Sequence, residues 1–185
     1  MSAASSTAIT LRLKYGSLAL RLAAVIAGTA ILTLSSYVEV PMIPVPMTMQ
    51  TFAVTLIGAL YGWRLGAATI VAWLLEGAVG LPVLAGGMGG LPYFAGPTAG
   101  YLLSFPLAGA LVGWLVEHGW NGRAPLLAFT AMLLGNLLCL VMGGAWLATL
   151  LGPEKAVMFG IAPFALGAIV KSALGAATMR AFVRS

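Results

Sequence analysis

A chain of 185 residues that is 61% hydrophobic and 7% charged, with mean hydropathy +1.05, is composed for a bilayer. Soluble domains carry about a quarter charged residues. Its acids are four glutamates (Glu39, Glu76, Glu117 and Glu154) with no aspartate, and it has one histidine (His118) and one cysteine (Cys139). That inventory excludes an aspartyl dyad, a Cys/His zinc set, an internal disulfide and an intramembrane Ser–His pair.

Residues 1–17 read as a polar cytoplasmic tail, and residues 18–183 as a single membrane domain of six spans. The apolar run after Arg21 is read as a retained span, since no cleavage site flanked by a soluble domain follows it. The first span is expected over 18–37, ended by Glu39 and the prolines Pro41, Pro44 and Pro46. Proline lacks a backbone donor and does not continue a helix. The second and third, 48–63 and 65–81, are parted only by Gly62-Trp63-Arg64. Both fall short of the ~20 residues of a full crossing, so the outer loop beside them is expected to fold inward. That loop, 82–98, holds Gly86-Gly87-Met88-Gly89-Gly90 and is too apolar to be a solvated tail. The fourth, fifth and sixth spans are expected over 99–116, 125–150 and 162–181. The fold class is therefore an all-α integral membrane bundle of six helices.

The net charge of +5 reads as topology rather than as affinity for nucleic acid. With the N-terminus inside, Arg12, Lys14, Arg21, Arg64, Arg123, Arg180 and Arg184 all fall on the cytoplasmic side. Only Lys155 is then outside, which the positive-inside rule requires. Both termini are expected in the cytoplasm. No internal repeat is apparent, which argues against an inverted-repeat transporter.

Lys171 stands out in this topology. It lies within the last span, about 13 Å below the outer boundary at 1.5 Å per residue. A lysine at mid-bilayer costs roughly 2.5–3.5 kcal/mol on insertion scales, so it marks a ligand, an ion or a partner charge. Glu76 is about one and a half turns below the same surface, and Thr48, Gln50 and Thr51 open the second span there. These polar groups beside a glycine-rich loop describe a pocket open to the outside.

Each residue also has a plainer reading. Lys171 and Glu76 make a structural ion pair, or Thr48 and Gln50 merely cap a helix. Asn136 reads as interhelical glue, and Cys139 as a small buried side chain. Gly167, Ala168, Ser172, Gly175 and Ala176 form a small-residue face that serves helix packing, ligand volume, or both. His118 sits in a cytoplasmic loop with no metal partner nearby. The glycine cluster is not a phosphate loop, because no Gly-Lys-Ser/Thr follows it and no strand precedes it.

Three segments resemble one family. Val45-Pro-Met-Thr-Met-Gln-Thr-Phe52, Gly80-Leu-Pro-Val-Leu-Ala-Gly-Gly-Met-Gly-Gly-Leu91 and Gly96-Pro-Thr-Ala-Gly-Tyr-Leu-Leu-Ser-Phe105 are similar to BioY, in that order and with Lys171 in the last span. The resemblance covers about residues 21–180. BioY is the biotin-specific substrate-capture (S) component of energy-coupling-factor (ECF) transporters. It implies high-affinity capture of biotin from outside, in a multi-pass protein of the bacterial inner membrane, and no enzymatic activity or cofactor of its own. It implies a transmembrane coupling (T) protein and two cytoplasmic ATPase subunits as partners, since no nucleotide-binding motif is present here. Coupling contact is expected at small residues of the first span, Ala23 and Ala27. BioY proteins commonly carry an aspartate three residues before this lysine, where this chain has Ala168.

Biotin has a ureido ring with two N–H donors and a carbonyl, an apolar ring and a carboxylate. The binding residues expected are Lys171, Glu76, Gln50, Thr48, Tyr93, Tyr37 and the loop Gly86, Gly87, Met88 and Gly89. Glu76 or Gln50 accepts from the ureido N–H groups, Lys171 donates to the ureido carbonyl or pairs with the carboxylate, and Glu76 or biotin itself supplies the counter-charge of Lys171. The depth of Lys171 favours the bicyclic head as its partner, with the glycine loop acting as a lid. Alternatives are capture of another vitamin, a small intramembrane lipid-modifying enzyme, or a structural subunit of a membrane complex.

Overall fold

The computed structural model describes Thr10, Leu13 and residues 16–184. Most of the expected tail, including Arg12 and Lys14, lies outside the described residues. The first helix, α1 (Leu18–Tyr37), begins where Ser17 Oγ accepts from the Leu20 amide at 3.3 Å. That side chain satisfies one of the orphan donors of the helix start. Leucine and isoleucine side chains cover most of its surface and stay exposed, as on a helix turned towards lipid. Its inward side is narrow: Gly28, Thr29, Leu32 and Ser36.

The proline-rich connection is not all coil. Glu39–Val40 (β1) pairs antiparallel with Met47–Thr48 (β2), Glu39 opposite Thr48. Next comes α2 (Gln50–Ala78), a single 29-residue element on paper. Gly62 breaks it with φ 80° and ψ 167°, a conformation open to glycine and hardly to other residues. There the chain doubles back. A Cβ built on Gly66 would lie 2.9 Å from Gly58 Cα, whereas eight residues of straight helix span about 12 Å. The expected division between a second and a third span thus falls at Gly62 itself. Gly58 also meets the backbone of Gly109 in the next helix. With no side chains between them, the backbones approach closely, the usual means of joining helices in lipid.

The helices α3 (Ala99–Glu117) and α4 (Pro125–Leu151) follow, then a four-residue turn α5 (Pro153–Ala156) and a π-helical segment (Val157–Ile161) running into α6 (Ala162–Arg184). Among the described residues, five helices are long and apolar enough to cross a membrane, with the broken α2 counted once. Of these, α3 is the most enclosed. Trp73 stacks on Phe105 with ring centroids 6.2 Å apart, and Leu32, Ile70 and Leu84 pack fully buried in the same cluster.

The long loop is folded inward. Leu84 is completely buried, and the loop's carbonyls are claimed by side chains from three helices. Ser36 Oγ donates to the Val83 carbonyl at 2.9 Å and Trp73 Nε1 to the same oxygen at 3.2 Å. Trp146 Nε1 donates to Gly96 O at 2.9 Å, and the Tyr37 hydroxyl to Pro82 O. Inside it, Gly86 and Gly87 both take left-handed φ values near 67°, which closes the turn in which Leu84 N bonds to Met88 O. Backbone that leaves the helical ladder at membrane depth needs such partners.

Candidate functional site

One pocket gathers chain from six regions: the β-hairpin, the start of α2, the inward loop, the start of α3, and the facing parts of α4 and α6. Val45, Pro46, Thr48, Gln50 and Thr51 enter from the hairpin and α2. Ala85, Tyr93 and Thr98 come from the loop, and Tyr101, Leu102 and Phe105 from α3. Asn136, Cys139 and Leu140 on α4 and Phe164, Ala168 and Lys171 on α6 complete it.

Lys171 is the only charged residue of that lining. Its ammonium donates to the Thr48 carbonyl at 2.6 Å and to Thr51 Oγ1 at 3.2 Å. Thr48 lies just ahead of α2, and among the described residues the helix ladder does not claim its carbonyl. The threonine side chain is used as well. Its hydroxyl accepts from the Gln50 amide N–H at 3.3 Å and donates to Gln50 Oε1 at 2.9 Å. Gln50 is 5% exposed, and its Nε2 is buried without a partner.

Behind the lysine, Asn136 Nδ2 donates to the Met132 carbonyl at 3.0 Å and to Ser172 Oγ at 3.2 Å. Ser172 Oγ in turn donates to Ala168 O at 2.7 Å. Asn136 is thus both interhelical glue and part of the wall. The small-residue face divides in the same way. Gly167 faces Met47 and Gly175 faces Met132, while Ala168 opens onto the pocket. The aromatic side is anchored by Tyr101, whose hydroxyl donates to Gly160 O at 2.7 Å and whose ring lies 6.3 Å from that of Phe164. The Gly160 carbonyl belongs to the π-helical segment, so the irregular turn leading into α6 helps set this wall.

Of the residues expected from sequence, Lys171, Thr48, Gln50 and Tyr93 meet at the pocket. Gly86, Gly87, Met88 and Gly89 do not line it. They form the loop just past Ala85, with Met88 half exposed. Tyr37 stands outside too. It bonds Pro82 and its ring lies against Gly87, so it holds the loop from behind. Glu76 is partly exposed on α2 and does not line the pocket. The expected Lys171–Glu76 pairing does not form; neutral oxygens of Thr48 and Thr51 take its place.

The wall residues Tyr101, Phe105 and Phe164 were not singled out from sequence, whereas Thr51 was expected on the pocket side and proves to bond Lys171. Tyr101 and Phe105 are one helical turn apart inside the third family-like segment, which is the signal available for them. Glu39 was also passed over. Its Oε2 is buried without a partner, and the residue sits near Gly86. Tyr93, which donates to Ala85 O at 3.3 Å, has its phenol pushed up by burial and further by the charge of Glu39. On α1, Ala24 and Gly28, each one residue beyond the expected coupling contacts Ala23 and Ala27, lie on the inward side. Gly28 meets Thr69 and Tyr61, the Tyr61 hydroxyl donates to Ala24 O at 2.9 Å, and Ala23 and Ala27 are left exposed.

The family model described as "BioY family" matches residues 5–185. The chain is 36% identical over 144 residues to a probable biotin transporter BioY of Pyrococcus horikoshii, covering 78% of this chain and 84% of that protein. It is 35% identical over 149 residues to the biotin transporter BioY2 of Lactococcus lactis, covering 80% and 81%. A crystal structure of the S-component for biotin from an ECF-type ABC transporter superposes with TM-score 0.82, covering 90% of this chain and 92% of that one at 24% identity, and so shares the fold. A mostly helical bundle with membrane-length helices, matched to a family model over nearly its whole length, makes this chain a multi-pass membrane protein of the BioY family.

Proposed function

We propose that this protein captures biotin at the outer side of the membrane and serves its uptake as the substrate-specific component of an ECF-type transporter. The observation that carries the reading is the pocket around Lys171: one buried-side ammonium, a set of hydroxyl and amide groups, and an aromatic wall. Biotin matches that division. Its ureido ring meets the polar groups, and its fused ring packs against Tyr101, Phe105 and Phe164. Pockets of this kind bind through apolar area and take their orientation from a few polar groups.

The depth of Lys171 favours the bicyclic head inward, with the valerate tail towards Tyr93 and Thr98. Lys171, Thr48, Gln50 and Tyr93 contact the ligand. The Gly86–Gly89 loop, with Met88 at its tip and Tyr37 behind it, is the lid. Residues 18–183 form one membrane domain, preceded by a cytoplasmic tail over 1–17. The reversal at Gly62 supports six crossings with both termini in the cytoplasm of a bacterial inner-membrane protein. Ala23 and Ala27, exposed on α1, suit contact with the coupling protein, which joins two cytoplasmic ATPase subunits to supply the work of release.

The test is equilibrium binding of labelled biotin, thiamine and riboflavin to the purified protein in detergent. Saturable binding of biotin alone is expected. Binding of one of the other vitamins in preference to biotin overturns the reading.

A further inference from the structure

Gln50 is held so that its amide nitrogen, not its oxygen, is free. The Thr48 hydroxyl has one proton to give. It accepts from the Gln50 backbone N–H at 3.3 Å and so turns that proton towards the side-chain oxygen at 2.9 Å. Turning the amide over would leave the Thr48 hydroxyl's proton with no acceptor on the Gln50 side chain, so the orientation with Oε1 towards Thr48 is the one that uses it. Nε2 therefore remains a donor, buried and unpartnered, on a residue that lines the pocket. A buried donor left unsatisfied is destabilising, and its occurrence in a binding pocket points to a ligand acceptor.

The second donor lines the same pocket. Thr48 links the two groups, accepting from Lys171 Nζ at its carbonyl and bonding Gln50 through its hydroxyl. The ammonium has three N–H groups and spends two of them on Thr48 and Thr51, so one remains. We infer that Gln50 Nε2 and the third Lys171 N–H form a two-donor cradle for a single acceptor oxygen of the ligand, and that Gln50 makes the pocket select a carbonyl over an N–H at that position. The inference rests on the biotin reading, in which the oxygen is the ureido carbonyl. It reverses the role expected of Gln50 from sequence, that of an acceptor.

The experiment uses the ratio of two affinities, so partial loss of folding in a variant does not decide it. Biotin and 2-iminobiotin, whose guanidinium places an N–H donor where biotin has its carbonyl, are measured on the wild type, Gln50→Glu and Gln50→Leu. Biotinamide, with its carboxylate capped, is the third probe. The wild type is expected to bind biotin at least a hundredfold more tightly than 2-iminobiotin and to tolerate biotinamide. Gln50→Glu replaces the donor by an acceptor and is expected to reduce the discrimination at least tenfold. Gln50→Leu is expected to weaken biotin more than 2-iminobiotin. An unchanged ratio in Gln50→Glu overturns the cradle while the biotin reading stands. Loss of wild-type binding on capping the carboxylate overturns it as well, because the donors then face the other end of the ligand. A wild type that fails to bind biotin overturns both.

Discussion

Lys171 and Thr48 are 123 residues apart in sequence and joined by a 2.6 Å hydrogen bond from the ammonium to the peptide carbonyl. The carbonyl dipole and the Thr51 hydroxyl solvate the ammonium without neutralising it. The pocket therefore keeps a positive charge at its inner end, held in a fixed place by the start of α2. Fixed dipoles and charges recognise a ligand without a further ordering penalty.

Lys171→Met keeps most of the side-chain volume and removes the charge and its three donors. Charge-assisted hydrogen bonds contribute about 1.5–3 kcal/mol each, so biotin affinity is expected to fall by roughly two orders of magnitude. Calorimetric titration of the purified protein measures this, with recovery of monodisperse protein in detergent as the check on insertion. Affinity within threefold of wild type removes Lys171 from the site.

Glu76→Gln separates the structure from the expectation based on depth alone. Because Glu76 does not line the pocket, the substitution is expected to leave biotin affinity within about twofold, well under the 1.4 kcal/mol that a tenfold change represents. A drop beyond tenfold shows that the two charges communicate after all.

Gly62→Ala tests the reversal within α2. A side chain at φ 80° and ψ 167° strains the backbone by about 1–3 kcal/mol, and the added carbon would also meet the Glu117 carboxylate. Thermal unfolding in detergent should fall in the single variant. The double variant Gly62→Ala/Glu117→Ala should recover only part of the loss, since it removes the collision and keeps the strain. It also removes the acceptor of the Trp63 N–H, bonded at 3.2 Å. An unchanged melting temperature in Gly62→Ala argues against a turn at this residue.

Ala27→Leu, alone or with Ala23→Leu, addresses the exposed small residues of α1. Neither position is buried, so biotin binding by the isolated protein should be unchanged within about twofold. Co-purification with the coupling and ATPase subunits, and biotin uptake by cells, should both fall about tenfold or more, because bulky side chains keep helix backbones apart. Uptake at the wild-type level with both leucines in place moves the coupling surface elsewhere.

The sequence by itself determined the solvent, the helix positions and the residue to watch. Apolar runs and the exclusion of charge are local properties, so the expected limits at 18–37, 99–116 and 125–150 lie within one residue of α1, α3 and α4. The expense of a lysine in an apolar run is equally local, and so Lys171, with Thr48 and Gln50 at a helix start, was legible. What surrounds Lys171 was decided by the tertiary structure. Depth below the surface placed Glu76 and Lys171 at similar levels, yet depth says nothing of which way each side chain turns about its helix axis. That azimuth is set by packing: by glycines that bring α2 against α3, and by the hairpin that carries Thr48 to α6. For the same reason Tyr101, Phe105 and Phe164 became a wall only once α3 and α6 faced one another.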